Sequence, residues 1–185
     1  RIGGSGTDMF LAKVNDKGEK LWEQTYSQGT ENTATCVAAT GDSGFVLCGT
    51  FLKGSTGGPV TPNYDVVIVK TDRNGTERWS KTFGFRNGDV AYGVLQSHDG
   101  GYVIAGTTTA EGSIQVSGAD AFVLKTNARG DSAWSRVYGG NLVDAAYSVV
   151  ETSAQQYAVC GATNSATFDG SYDVYLVGFD TLGVP

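Results

Sequence analysis

Apolar residues in this chain fall into short runs separated by polar turns. "DMFLAKVN", "DVVIVKTD", "DAFVLKTN" and "DVYLVGFD" each place a near-continuous apolar run directly after an aspartate. Short β-branched runs of this kind, bounded by turn residues, predict strands buried on both faces. Mixed runs follow in a fixed order: "WSKTF", then "VAYGVLQS", then "GYVIAGT". Between the first and second runs stand "NDKG" and "DRNG", and between the third and fourth "GDSG" and "HDGG". These read as hairpin connections whose glycine takes φ > 0. The third unit has "SAQQ" at the latter place and has to turn differently. The pattern makes the chain all-β, with four strand signals per unit.

The units are in register with one another. Asp8, Asp65, Asp120 and Asp173 are spaced by 57, 55 and 53 residues. Ten residues after each comes Gly18, Gly75, Gly130 or Gly183, and fourteen after the first three comes Trp22, Trp79 or Trp134. An aromatic follows each tryptophan at the fourth position (Tyr26, Phe83, Tyr138), and six residues later a polar turn residue (Asn32, Asp89, Asp144). All length variation lies between the fourth strand and the next aspartate, as expected of exposed loops in which insertion costs little.

A repeat of about 50 residues containing four antiparallel strands predicts a β-propeller built of four-stranded antiparallel blades. The whole chain, 1–185, is then one propeller segment. Its repeats run over 8–64, 65–119 and 120–172, and a further blade starts at 173–185. The run after each aspartate is expected to be the innermost strand, covered on both faces by neighbouring blades. A β-sandwich has no reason to repeat its Asp, Gly and Trp at fixed offsets. Three blades and one extra strand do not close a ring of about four to eight. The remaining blades are therefore expected from the same longer chain or from another copy.

Composition narrows the chemistry. The 27 glycines against three prolines suit many tight turns, and 13 basic against 19 acidic residues give a net charge of -6. Without a Lys/Arg run, nucleic acid and anionic membrane surfaces are poor partners. No apolar run approaches the roughly 18 to 20 residues that span a bilayer, so membrane insertion is not expected. Three cysteines and one histidine form neither a disulfide framework nor a zinc site. Buried free thiols and a Cys36–Cys48 bridge across one hairpin both remain open. Asn74-Gly75-Thr76 is a glycosylation sequon, but its place in a tight turn accounts for these residues without a glycan.

The pattern D-(apolar)4-K-x-(N/D)-x-x-G-x-x-x-W-x-x-x-(Y/F), followed by D-x-A-Y-x-V and "DGGYVIAGT", resembles the SBBP-type β-propeller repeat and covers essentially the whole chain. That family occurs in secreted and cell-surface proteins of bacteria and archaea, often beside adhesion-type or sorting domains. The resemblance implies an extracellular or cell-surface scaffold, or a platform binding protein or glycan, rather than an enzyme. The alternative is a segment of a carbohydrate-active propeller enzyme whose catalytic residues lie in other blades. "KVNDKGEKLW" also resembles the tryptophan-docking repeat of pyrroloquinoline-quinone propellers, which implies that Trp22, Trp79 and Trp134 pack between blades. The adjacent cysteine pair and calcium site of the quinone enzymes are missing, so no cofactor is expected.

Repetition argues for scaffolding and irregularity for sites. Asp8, Asp65, Asp120 and Asp173 read as residues that fix strand entries rather than as a carboxylate ring. Lys13, Lys70 and Lys125 read as solvated or paired strand ends. No catalytic motif is present, His98 sits in a surface turn, and the turns lack the alternating oxygen ligands of a calcium loop. The repeat is broken at Gly178, which replaces the lysine, at Gln155-Gln156, which replaces the glycine pair, and in the loops after strand four. There Phe51, Tyr64, Phe168 and Tyr172 are the candidate binding residues.

Overall fold

The structure is a computed structural model that describes residues 6–29, 31–53, 63–85, 88–109, 118–152, 156–165, 171–180 and 182–184. Phe168, Gln155 and the prolines of the first long loop lie outside this set. Within it are thirteen strands and no helix, so the chain is all-β.

Strands β1 (Met9–Val14) and β2 (Lys20–Tyr26) form an antiparallel pair. Next, β3 (Asn32–Ala39), β4 (Phe45–Leu52), β5 (Tyr64–Thr71) and β6 (Glu77–Phe83) form a four-stranded antiparallel meander. Strands β7 (Gly88–Gln96), β8 (Tyr102–Thr109), β9 (Ala119–Thr126) and β10 (Ser132–Tyr138) repeat it. A third sheet contains β11 (Asp144–Glu151), β12 (Tyr157–Thr163) and β13 (Asp173–Phe179). One parallel bridge, Tyr64 with Gly88, ties the first meander to the second.

Three cores lie between successive sheets. Met9 and Leu11 pack with Leu47, Val67 and Val69. On the other face of the first meander, Val46, Val66 and Ile68 meet Tyr102, Ile104 and Phe122. Val103 and Val123 then meet Tyr157, Val159 and Phe179. Alternate residues of β5 therefore enter different cores, because successive side chains in a strand point to opposite faces. This is why "VVIV" has no polar alternation: Val66, Val67, Ile68 and Val69 are all fully buried. Each such side chain contributes roughly 1.5 to 3 kcal/mol by leaving water.

The hydrogen-bonded sheets are out of phase with the sequence repeats. The run after each aspartate was expected to be innermost; β5 and β9 instead lie third in their meanders, bonded on both sides. The strands that approach one another from sheet to sheet are β3, β7 and β11. Each of these carries a β-bulge at the same place, at Thr35, Tyr92 and Tyr147. The bulged residues link the sheets: Thr35 Oγ1 donates to the Ala91 carbonyl at 2.5 Å, and the Tyr92 and Tyr147 rings meet edge-on at 5.3 Å.

The connection from one sheet to the next is short and held at fixed geometry. Asn32, Asp89 and Asp144 are buried at the starts of β3, β7 and β11. Each accepts the backbone N–H four residues earlier, from Gln28 (2.9 Å), Phe85 (2.7 Å) and Gly140 (2.7 Å). The variable loops, by contrast, join strands of the same sheet.

Candidate functional site

The strands end at two opposite edges of the molecule. At the edge carrying the long connectors, the residues singled out by sequence have different environments. Phe51 lies inside β4 as a core residue, not in the loop that follows. Tyr64 begins β5, half-buried, and donates to Glu31 Oε2 at 3.2 Å. Tyr172 is 60% exposed just before β13. Asp65 is buried and pairs with Lys53 at 3.0 Å, Asp120 is half-buried, and Asp8 and Asp173 are exposed.

The tryptophans join consecutive sheets. Trp22 meets Phe45, Trp79 meets Tyr102 and Trp134 meets Tyr157, with ring centroids 5.8, 5.5 and 6.4 Å apart. Each ring also covers the glycine of the following β-turn, Gly75, Gly130 or Gly183. The aromatic four residues on completes the clasp in two copies: Tyr26 donates to the Gly75 carbonyl at 2.6 Å and Tyr138 to that of Gly183 at 2.5 Å. The turn itself is shaped by its first side chain. Asp72 Oδ1 accepts from the N–H groups of Asn74 and Thr76, and Asn15, Asn127 and Asp180 do the same in their own turns.

At the edge carrying the tight turns, the repeated lysines are consumed by the scaffold. Lys70 is buried and its ammonium reaches Asp42 at 2.8 Å and the Thr71 carbonyl at 2.7 Å. Lys125 does the same with Asp99 (2.7 Å) and the Thr126 carbonyl (2.8 Å). The expectation of a paired strand end describes these two, and the expectation of a solvated one does not. Lys13 instead lies over the Phe45 ring at 5.7 Å. The Lys70 ammonium, followed by the Thr40 hydroxyl, holds the Asp42 carboxyl well below the usual carboxylate range. At Asp99 burial opposes the charge, but Lys125, Ser97 and the Gly101 N–H together still lower the carboxyl.

These clamps also require a glycine. A methyl group at Gly44 would collide with the Thr71 carbonyl and stand 2.8 Å from the Lys70 ammonium, and one at Gly101 would collide with the Thr126 carbonyl and the Lys125 ammonium. The third unit drops all three members at once: Gly178 replaces the lysine, Gln156 the glycine and Ala154 the aspartate. Beside Gly178 lies a cavity of about 370 Å3 lined by Thr152, Gln156, Tyr157, Gly178, Asp180 and Val184, among others. A methyl group at Gly178 would meet nothing closer than the Tyr157 carbonyl, at 3.9 Å.

The equivalent places open to solvent even where a following sheet covers that face, since the Asp42 and Asp99 side chains stay 61% and 46% exposed. Next to the cavity, the Glu151 side chain is 7% exposed and its Oε2 accepts the His98 backbone N–H at 2.9 Å and faces Nδ1 at 2.8 Å. Gln96 fills the same role one unit earlier, accepting the Gly41 N–H at 2.7 Å.

The sequence flagged Gly178 and Gln155-Gln156 as breaks in the repeat but did not show that Gly178 and Gln156 line one space. The signal lay in three substitutions at separate offsets that only the Lys–Asp–Gly geometry connects. No protein-family model and no curated protein matches the chain.

Proposed function

We propose that this chain is a segment of a β-propeller acting as a non-enzymatic platform that binds protein or glycan at the extracellular or cell-surface face of its cell. The observation that carries the reading is the cavity at Gly178. The repeated Lys–Asp clamps and turn caps serve the scaffold, and where the described residues of the third unit depart from the clamp they line an open, mixed polar and aromatic hollow. Hollows of this size with a few polar groups on an apolar wall suit a sugar residue or a partner side chain.

The propeller reading rests on sheets that stack face to face through repeated Trp–Gly contacts, and on bulged strands that approach one another from sheet to sheet. Both ends of the stack bear apolar surface: Phe10 and Leu21 are each 56% exposed on β1 and β2, and Val174 and Leu176 are 85% and 71% exposed on β13. Such surface suits a further sheet of the same kind, from the longer chain or from another copy. The SBBP-type resemblance is the ground for the extracellular location.

The test uses the full-length protein on a glycan array and in pull-downs, alongside Gly178→Lys, which fills the hollow with the side chain its sister units carry. Binding that survives in a folded Gly178→Lys protein places the site elsewhere. Turnover of a bound glycan would put the chain with the carbohydrate-active enzymes instead.

A further inference from the structure

Cys36 and Cys48 are direct cross-strand partners in the β3–β4 pairing. Directly opposed residues of an antiparallel pair have Cα atoms roughly 4.5 to 5.5 Å apart, within the span of about 4.4 to 6.8 Å that a disulfide bridges. Their side chains lie on the same face of the sheet, against one core between the first and second meanders. Both are thiols in this structure. The pair is particular to the first unit: Gly93 opposes Ala105 in the second, and Ser148 opposes Cys160 in the third. A scaffold feature would recur, and this one does not.

The two sulfurs are also unequal. Cys36 is partly exposed and Cys48 is fully buried. Thr35 Oγ1, which donates to the Ala91 carbonyl, lies 3.8 Å from the Cys48 sulfur and 3.2 Å from the Cys48 carbonyl.

We propose that Cys36 and Cys48 form an exchange-active dithiol that reacts with low-molecular-weight disulfides, Cys36 attacking and Cys48 resolving. The Cys36 thiolate attacks one sulfur of the small disulfide, forming a mixed disulfide and releasing one thiolate, which takes up a proton. Cys48 then gives up its proton and attacks the Cys36 sulfur, closing the Cys36–Cys48 bond and releasing the second small thiol. Two protein thiols are oxidised and one small disulfide is reduced to two thiols. Hydrogen bonding from Cys48 pulls the Cys36 thiol below its ordinary value, and the same contact together with burial pushes Cys48 up. This is the order expected of an attacking and a resolving thiol.

The test incubates the folded protein with glutathione disulfide, alkylates the remaining thiols and maps the products by peptide mass spectrometry. The expected product joins the Cys36 and Cys48 peptides with loss of two hydrogens, while exposed Cys160 carries either glutathione or the alkylating label. Cys48→Ser, which keeps a hydrogen-bond donor beside Cys36 but cannot resolve the mixed disulfide, should stop at a Cys36–glutathione adduct that forms faster than the Cys160 adduct. Cys36→Ala should leave Cys48 unreacted until the chain unfolds. Wild-type protein in which Cys160 takes glutathione while Cys36 and Cys48 both remain alkylatable overturns the proposal. That arm needs no variant to fold.

Discussion

Trp79 covers Gly130 so closely that a methyl group on the glycine would stand 2.7 Å from ring atom Cζ3. The tryptophan belongs to β6 and the glycine to the turn between β9 and β10, so the contact joins two sheets through one ring and one missing side chain. Gly130 also has φ +81°, a conformation that disfavours any Cβ. Trp79→Ala should cost roughly 3 to 5 kcal/mol through the cavity it opens. Gly130→Ala should also destabilise, since neither the ring nor the backbone can yield cheaply. Urea unfolding of both variants checks this, and a neutral Gly130→Ala would refute the clasp.

The clasp is incomplete in the middle copy, where Phe83 stands in place of Tyr26 and Tyr138. Tyr26→Phe should lose about 1 kcal/mol, the net worth of a typical buried hydrogen bond. Phe83→Tyr should gain a similar amount by reaching the Gly130 carbonyl. Thermal unfolding of the two single variants gives opposite shifts if the hydroxyl is the decisive group.

Tyr26 gives stability an alkaline limit. Burial, then Glu77 and Asp72, raise its hydroxyl from 10.0 to about 12. The folded state favours the protonated form, so the contribution is complete below the unfolded value near 10 and is lost as pH rises through about 12. Unfolding curves between these pH values should flatten in Tyr26→Phe relative to the wild type.

Lys70 and Asp42 make an asymmetric pair, the ammonium buried and the carboxylate 61% exposed. Asp42→Ala strands the buried charge and should cost roughly 1 to 2 kcal/mol, below the 3 to 5 of a fully buried pair because water screens the aspartate. Lys70→Met, which keeps the stem and removes the charge, should cost less, and the double variant should recover part of the loss in a double-mutant cycle. The sign with pH is opposite to that of Tyr26. Asp42 is lowered, so its contribution is complete above the unfolded carboxylate value of about 3.9 and is lost as pH falls below it.

The strands and turns were legible because a period-2 pattern and a glycine at a fixed offset each have a local cause. The packing of the tryptophans between blades was an implication of the docking-repeat resemblance, and the structure sets their rings against Phe45, Tyr102 and Tyr157. The phase of the sheets was not legible. A tandem repeat reads the same wherever it is cut, and the variable loops seemed to mark the boundaries. Lys53 to Asn63 instead connects β4 to β5 within one sheet, at an edge where extra length costs little. The breaks from one sheet to the next are the short segments tied down by Asn32, Asp89 and Asp144. The hollow at Gly178 was legible only in pieces, since nothing in the sequence says that Asp42, Gly44 and Lys70 share one space.

The offset between repeat and sheet separates the unit that is copied from the unit that folds. A fragment excised at 65–119 would carry β5 and β6 from one sheet and β7 and β8 from the next, with an unpaired strand edge on each half. A fragment spanning 88–138 keeps all four strands of one meander. Recombining these units, by swapping or inserting copies, should therefore succeed at the short junctions of Asn32, Asp89 and Asp144 and fail at the seams that the repeat itself suggests.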